Sequence, residues 1–181
     1  KSGEPIIGIL SYPGTGHPMD ILTKFNHIYN YITMDTVQVK DKKFTLYIEE
    51  EKILDRVKIM AKQMNNDFKD KDPLFVVILN GSFVFAADLL REITIPCEIT
   101  FVRVASYEGD SSTGEVKQLL GLKEKIEGRT VVIVEDIIDS GLTMQELLRI
   151  LEAKHPAEIH IASLLVKPGN LKVDLDIPYR C

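Results

Sequence analysis

Cysteine, tryptophan and long apolar runs are scarce in this sequence, and each scarcity excludes a class of protein. It has only two cysteines, Cys97 and Cys181, and no tryptophan among 181 residues. Two cysteines cannot form the disulfide framework of a small secreted domain. No apolar run approaches the ~20 residues that a membrane-spanning helix requires, and the first residues lack the basic-then-apolar pattern of a signal peptide. We therefore expect a cytoplasmic protein with no membrane partner.

Positive charge is also in short supply. Lysine and arginine number 22 against 27 aspartates and glutamates, which gives a formal net charge of −5. Because nucleic-acid-binding proteins need clustered basic side chains, we expect no nucleic-acid partner. An acidic protein that binds a polyphosphate must neutralise it locally, and helix N-termini or a divalent cation are the usual means.

Apolar residues are abundant, at 45% of the chain, enough for the core of one domain. Their spacing predicts strands at 44–48, 74–79, 97–104, 131–134 and 159–166, and helices at 49–66, 83–91 and 142–152. Strands that alternate with helices predict an α/β fold: a mostly parallel twisted sheet with helices on both faces. Residues 1–33 differ in character and are interpreted as an N-terminal extension of unknown role, which leaves 34–181 as the domain.

In a sheet of this kind, ligands bind outside the carboxyl ends of the strands. The residues that follow the predicted strands are therefore the candidates for a site: Asn80–Ser82, Ala105–Tyr107, Glu135–Thr143 and Lys167–Pro168.

The segment Val131–Thr143 has the most suggestive composition. Four β-branched residues lead into Glu135 and Asp136, whose carboxylates would suit ribose hydroxyls or Mg²⁺. Asp139 and a glycine then precede a helix, and free amides at a helix N-terminus suit a phosphate. The alternative is structural, because an Asp-Ser pair before a helix is also an ordinary N-cap that needs no ligand.

The same segment, VVIVEDIIDSGLT, resembles the phosphoribosyl-diphosphate signature of the type I phosphoribosyltransferases. Across about residues 44–168 the chain resembles the hypoxanthine-guanine phosphoribosyltransferases, through LNGSFVFAADLLR at 79–91, SYEGDSSTGEV from Ser106, and SLLVKP at 163–168. The resemblance implies the α/β sheet with a small hood, and a purine-salvage activity. In that activity the 5-phosphoribosyl group of phosphoribosyl diphosphate passes to N9 of a 6-oxopurine, with Mg²⁺ as cofactor. It also implies a homo-oligomer, either a dimer or a tetramer.

The resemblance assigns roles to the residues that hold the sugar. Asp139 is expected to be the general base or hydrogen-bond acceptor at N7 of the purine, with burial beside Ile137 and Ile138 raising its pKa. Glu135 and Asp136 would bind the ribose hydroxyls, partly through Mg²⁺. The 5-phosphate would lie against the turn formed by Ser140, Gly141, Leu142 and Thr143.

Two further assignments concern the base. Lys167 would donate to O6, which explains selection for oxopurines over aminopurines because an ammonium group cannot accept a hydrogen bond. Ile137 would lie against the purine ring. Without the resemblance, Lys167 is better interpreted as a solvated lysine at a strand end.

The leaving group would be held by a loop after the second predicted strand. The resemblance assigns pyrophosphate binding to Asn80, Gly81 and Ser82, after a non-proline cis peptide bond between Leu79 and Asn80. Many relatives carry lysine at position 80, so less positive charge comes from this loop. The alternative is a simple strand-to-helix turn, in which Asn-Gly is common.

Two other segments complete the expected site. Ser106 and Tyr107 begin a stretch that resembles the family's mobile catalytic loop, which closes over the reaction centre; a surface loop without function is the alternative. After Pro168 the resemblance implies a further segment that stacks on the purine and adds a metal ligand. We expect this hood segment to be partly missing from the present chain.

Other functions fit parts of the pattern. The same site could serve another base such as xanthine, whereas Lys167 disfavours adenine. A regulatory protein on this fold would sense phosphoribosyl diphosphate and act on nucleic acid. The net negative charge and the presence of both Asp139 and a lid-like loop favour an enzyme.

Overall fold

The structure is a computed structural model that describes residues 36–105 and 118–181. It divides into two compact units, one up to residue 52 and one from residue 53 to 181. The first unit contains an antiparallel hairpin of β1 (Thr36–Val39) and β2 (Lys42–Thr45). The strand predicted at 44–48 is wrong beyond Thr45, because Thr45 pairs with the first residue of β1 and the two residues after it are exposed.

The second unit is built on a six-stranded sheet. Its helices are α1 (Glu50–Asp67), whose first residues belong to the first unit, α2 (Phe83–Glu92) and α3 (Leu142–Glu152). Its strands are β3 (Leu74–Leu79), β4 (Glu98–Ala105), β5 (Gln118–Leu120), β6 (Thr130–Ile138), β7 (Glu158–Val166) and β8 (Tyr179–Arg180).

The strand order is β5-β4-β3-β6-β7-β8. Five neighbouring strands, β4, β3, β6, β7 and β8, are parallel, and β5 lies antiparallel at the edge. The predicted fold class is confirmed. Because the parallel strands all end at the same edge, the residues that follow β3, β6 and β7 are neighbours there.

Both faces of the sheet are covered, which explains why β3 is a continuous apolar run. Leu74, Val76 and Ile78 share one core with Leu147 of α3. Successive side chains of a strand alternate in direction, so the equally buried Phe75 and its neighbours point to the opposite face. There α2 contacts β3 and β6.

The predicted boundaries hold closely for β3 and α3 and fail for β6. The sequence indicated a strand at 131–134 followed by a loop, whereas β6 continues to Ile138. Pairing with β7 holds the extension, since Ile138 lies opposite Val166. Glu135 and Asp136 therefore belong to the strand, which fixes their backbone more firmly than a loop would. Among the described residues no helix has the length and apolar character needed to cross a membrane.

Candidate active site

The turn after β3 has the predicted cis peptide bond between Leu79 and Asn80. Asn80 is exposed, and α2 begins two residues after Gly81. Ser82 is fully buried: its hydroxyl donates to the carbonyl of Ile78, and its carbonyl accepts from the amide of Ala86 at 2.8 Å. The side chain of Ser82 therefore stabilises the turn. Of the three residues Asn80, Gly81 and Ser82, Asn80 is the one with an exposed polar side chain.

Gly81 brings this turn against the acidic end of β6. A Cβ atom at Gly81 would lie 2.3 Å from Oδ2 of Asp136 and 2.8 Å from its Cγ. Its φ is not positive, so glycine is needed here for the close approach and not for the backbone conformation. Asp136 also accepts a hydrogen bond from the amide of Ile137 at 2.9 Å, which fixes the carboxylate over the glycine.

Glu135 is the most perturbed acid of the site. Burial, reinforced by the neighbouring carboxyl of Asp136, raises the pKa of Glu135 to about 9. Its Oε1 accepts from the amide of Asp136 at 3.0 Å. The sequence indicated two carboxylates here, and the raised pKa of Glu135 favours its neutral form in the free protein.

Asp139 contradicts one expectation directly. We predicted burial beside Ile137 and Ile138 and a raised pKa, but 57% of the Asp139 side chain is exposed. β6 ends at Ile138, whose side chain points into the core, and the next residue consequently points outward. A hydrogen bond from Asn170 and the nearby Lys167 ammonium group lower the pKa of Asp139.

Two side chains from the segment after β7 hold this carboxylate. The amide nitrogen Nδ2 of Asn170 donates to Oδ1 of Asp139 at 2.8 Å, and Nζ of Lys167 lies 3.4 Å from Oδ2. The amide of Lys167 donates to the carbonyl of Ile138 at 3.0 Å, which joins the ends of β6 and β7. Lys167 is thus where the sequence placed it, directly after a strand, and half of its side chain is exposed. Ile137 is half-buried.

The turn before α3 differs from the predicted cap. The N-cap is Gly141, with φ of 80°, and not Asp139 or Ser140. The hydroxyl of Ser140 accepts from the amide of Leu142 at a long 3.4 Å, and Thr143 is exposed.

Gly141 also faces the chain that follows the end of β7. A Cβ at Gly141 would lie 2.8 Å from a methyl of Val173 and 2.9 Å from one of Leu175. Both the positive φ and this packing require glycine, so its role is not limited to the phosphate approach that the sequence suggested.

The structure therefore brings three of the four strand exits together: the turns after β3, β6 and β7. The fourth follows β4, and Ser106 and Tyr107 lie outside the described residues. Sequence reasoning missed two side chains of this edge. One is Asn170, which donates to Asp139 and which no motif in the sequence singled out. The other is Arg103 on β4, which the register of β4 against β3 brings to the Asn80 turn.

The residues present limit how a metal could bind. In the described part of the chain no group of three or more histidine, cysteine, aspartate or glutamate side chains is arranged to hold a metal ion. Glu135 and Asp136 offer two carboxyl groups side by side. Mg²⁺ is commonly bound by one or two carboxylates together with waters and substrate phosphates, so this pair fits an ion that binds with the substrate.

Comparison with known proteins decides the family. The model of the phosphoribosyl transferase domain matches residues 47–181. The chain belongs to the phosphoribosyltransferase family. This phosphoribosyltransferase, an enzyme of glycosyl transfer, is 40% identical over 135 residues to the hypoxanthine-guanine phosphoribosyltransferase of Dictyostelium discoideum, covering 72% of this chain and 75% of the relative. It is also 40% identical over 135 residues to the hypoxanthine phosphoribosyltransferase of Salmonella typhimurium, covering 73% and 76%.

Solved structures agree with that assignment. A crystal structure of a hypoxanthine-guanine phosphoribosyltransferase from Bacillus anthracis, with HEPES in its active site, matches this phosphoribosyltransferase with a TM-score of 0.66 at 40% identity. The match covers 74% of this chain and 78% of that one. The hypoxanthine phosphoribosyltransferase of Trypanosoma cruzi matches with a TM-score of 0.69 at 33% identity over 80% and 79%. The predicted family and fold are confirmed.

Proposed function

We propose that this phosphoribosyltransferase acts in purine salvage on a 6-oxopurine, hypoxanthine or guanine. The 5-phosphoribosyl group of phosphoribosyl diphosphate passes to N9 of the base, and pyrophosphate leaves. The observation that carries the proposal is the pairing of Asp139 with Lys167 at the joined ends of β6 and β7. A carboxylate beside an ammonium group presents an acceptor and a donor side by side. N7–H and O6, which are adjacent on the edge of a 6-oxopurine, require that arrangement.

Asp139 has the proton role in this proposal. As N9 forms its bond to C1 of the ribose, the bond from C1 to the pyrophosphate oxygen breaks and the proton on N7 passes to the Asp139 carboxylate. The lowered pKa of Asp139 makes it a weak base in the free enzyme. A purine that draws the Lys167 ammonium to O6 and covers the carboxylate would strengthen it, because desolvation raises the pKa of a carboxyl group.

The remaining groups bind the substrate. Glu135 and Asp136 would hold the ribose hydroxyls and a Mg²⁺ ion bound together with phosphoribosyl diphosphate, and Glu135 would be a ligand in its deprotonated form. Mg²⁺, when bound, neutralises charge on the diphosphate oxygens. The 5-phosphate lies against backbone amides at the N-terminus of α3. These amides belong to Ser140, Gly141, Leu142 and Thr143. The pyrophosphate lies at Asn80 and Gly81 and at the amide of Ser82.

Several expectations from the sequence extend the proposal. Ser106 and Tyr107 would begin a lid that excludes water from the reaction centre, and Ile137 would contact the purine. We also propose that the domain comprises residues 34–181 and works in the cytoplasm as a homo-oligomer.

An absorbance assay of base consumption tests the proposal. The protein is incubated with phosphoribosyl diphosphate and Mg²⁺, and hypoxanthine, guanine, xanthine and adenine are compared. We expect turnover of hypoxanthine and guanine, and none when phosphoribosyl diphosphate or Mg²⁺ is omitted. Turnover of xanthine alone would assign another base specificity, and turnover of none of the four would reject the proposal.

A further inference from the structure

Arg103 is a cation at the same sheet edge that none of the assigned roles uses. In the pairing of β4 with β3 it lies opposite Leu79, the last residue before the Asn80 turn. Its side chain is exposed, and Nη2 of the guanidinium donates to Oδ1 of Asn80 at 3.4 Å. The side chain therefore reaches past the end of β3 and onto the turn that follows it.

The order of the strands gives the edge a particular distribution of charge. β4 supplies Arg103, β3 supplies the neutral Asn80 and Gly81, β6 supplies the acidic pair and β7 supplies Lys167. Lys167 lies 3.4 Å from Asp139, on the far side of the acids. Among the described residues no carboxylate lies within 4 Å of the Arg103 guanidinium.

This distribution poses a problem for a diphosphate at the β3 turn. The Asp136 carboxylate lies against Gly81 and would repel the anion. The turn itself offers amides and the uncharged Asn80 side chain. A guanidinium group on the other side of the turn can offset the repulsion, and its planar fork matches phosphate oxygens in two hydrogen bonds.

We propose that Arg103 binds the diphosphate of phosphoribosyl diphosphate and the pyrophosphate product, with Asn80 as its positioning residue. The Asn80 side chain, through its contact with the guanidinium, directs Arg103 over the turn. In this chain the positive charge of the pyrophosphate subsite thus comes from β4 and not from the turn. The inference rests on the proposed function and adds to it the residue that recognises the leaving group.

Pyrophosphate binding in the presence of Mg²⁺, measured by calorimetry on the full chain, tests the inference. We expect Arg103→Gln to raise the dissociation constant of pyrophosphate about 10- to 100-fold, the range for one lost hydrogen bond to a charged group. Arg103→Lys should recover part of the loss. Asn80→Lys in the Arg103→Gln background should also recover affinity, because it returns a cation to the turn. Binding of inosine 5′-monophosphate should change less than about twofold, since the monophosphate lies at α3.

Arg91→Gln is the matched control. Arg91 is exposed on α2 and pairs with Asp88, so this variant removes the same charge away from the turn. Pyrophosphate affinity that is unchanged in Arg103→Gln would overturn the inference, as would equal weakening of pyrophosphate and nucleotide, which would indicate damage to the whole site. Wild-type protein that turns over no purine would instead reject the proposed function, so the two failures are distinguishable.

Discussion

Single residues at the edge of the sheet are constrained by contacts that their types alone do not reveal. Gly81 is the clearest case, because its missing side chain is the space that the Asp136 carboxylate occupies. The Asn-Gly pair was compatible with an ordinary strand-to-helix turn. In the structure, however, Gly81 packs against the acidic end of β6. This one residue therefore lets the turn after β3 lie against the end of β6.

Gly81→Ala should therefore lower activity by displacing Asp136. A methyl group 2.3 Å from Oδ2 forces the carboxylate or the turn to move, and a misplacement of about 1 Å can lower turnover about 100-fold. We expect a fall of that order in kcat/KM for phosphoribosyl diphosphate, measured by steady-state kinetics.

Gly169→Ala is the control for that prediction. A Cβ there meets nothing within 4 Å, and its φ is not positive, so activity should be retained. Wild-type activity in Gly81→Ala would contradict the prediction, since it would show that the close approach of Gly81 to Asp136 is not needed for activity.

Pairs of elements create the part of the site that concerns the base. The ends of β6 and β7 are joined by the Lys167 amide and the carbonyl of Ile138, and this link sets the ammonium group beside Asp139. Neither strand carries both groups. The acceptor and donor that we assign to the purine edge are consequently a property of the pairing between two strands.

Asp139→Asn should lower kcat far more than it changes the KM for phosphoribosyl diphosphate. The amide keeps the shape of the side chain but cannot take up the N7 proton, and loss of a general base lowers turnover about 100-fold or more. Steady-state kinetics with hypoxanthine would check it. Asp55→Asn, on the exposed surface of α1, should leave kcat unchanged. Equal kcat in Asp139→Asn and wild type would remove Asp139 from its proton role.

The elements also show how far the sequence could be taken. The bounds of β3 and α3 were predicted residue for residue. A continuous apolar run is a local signal for a strand buried on both faces, and helical spacing of apolar residues is a local signal for an amphipathic helix. The extension of β6 was not predictable from composition. Acidic residues after an apolar run are typical of a loop, and only the pairing with β7 shows that these residues belong to the strand. The lowered pKa of Asp139 depends first on a hydrogen bond from Asn170, which is 31 residues away in the chain. Arg103 needed the register of β4 against β3. Local pattern locates the site, and strand pairing decides which side chains share it.

At the scale of the whole molecule, a polar cluster around Glu158 and the candidate active site lie at opposite ends of the sheet. Glu158 begins β7 at the end away from Lys167, roughly 30 Å distant at the rise of a strand. It accepts a hydrogen bond from the hydroxyl of Thr130 at 2.7 Å, forms an ion pair with Lys71 at 2.7 Å and lies 3.1 Å from Nε2 of His160. These partners, with Lys71 first, lower the pKa of Glu158 to about 2.

Glu158→Gln should lower stability without altering kinetics. A carboxyl whose pKa is depressed in the folded state stabilises the protein above its unfolded pKa of about 4.5. That contribution is lost as the pH falls toward 2. Urea unfolding should show the variant less stable at pH 7 by on the order of 1 kcal/mol, allowing for solvent screening, with the difference shrinking between pH 4.5 and 2. Glu127→Gln, an exposed control, should show no such pH-dependent difference. A constant difference across that range would contradict the account.

The central claim is that the Asp139–Lys167 pair, at the edge shared by three strand exits, selects a 6-oxopurine for phosphoribosyl transfer. The most direct measurement is the ratio of initial rates for hypoxanthine and adenine, with phosphoribosyl diphosphate and Mg²⁺ at saturation. An ammonium group cannot accept a hydrogen bond from the 6-amino group of adenine. We therefore predict rapid consumption of hypoxanthine and a rate for adenine at least about 100-fold lower. Equal rates for the two bases, or a preference for adenine, would contradict the account.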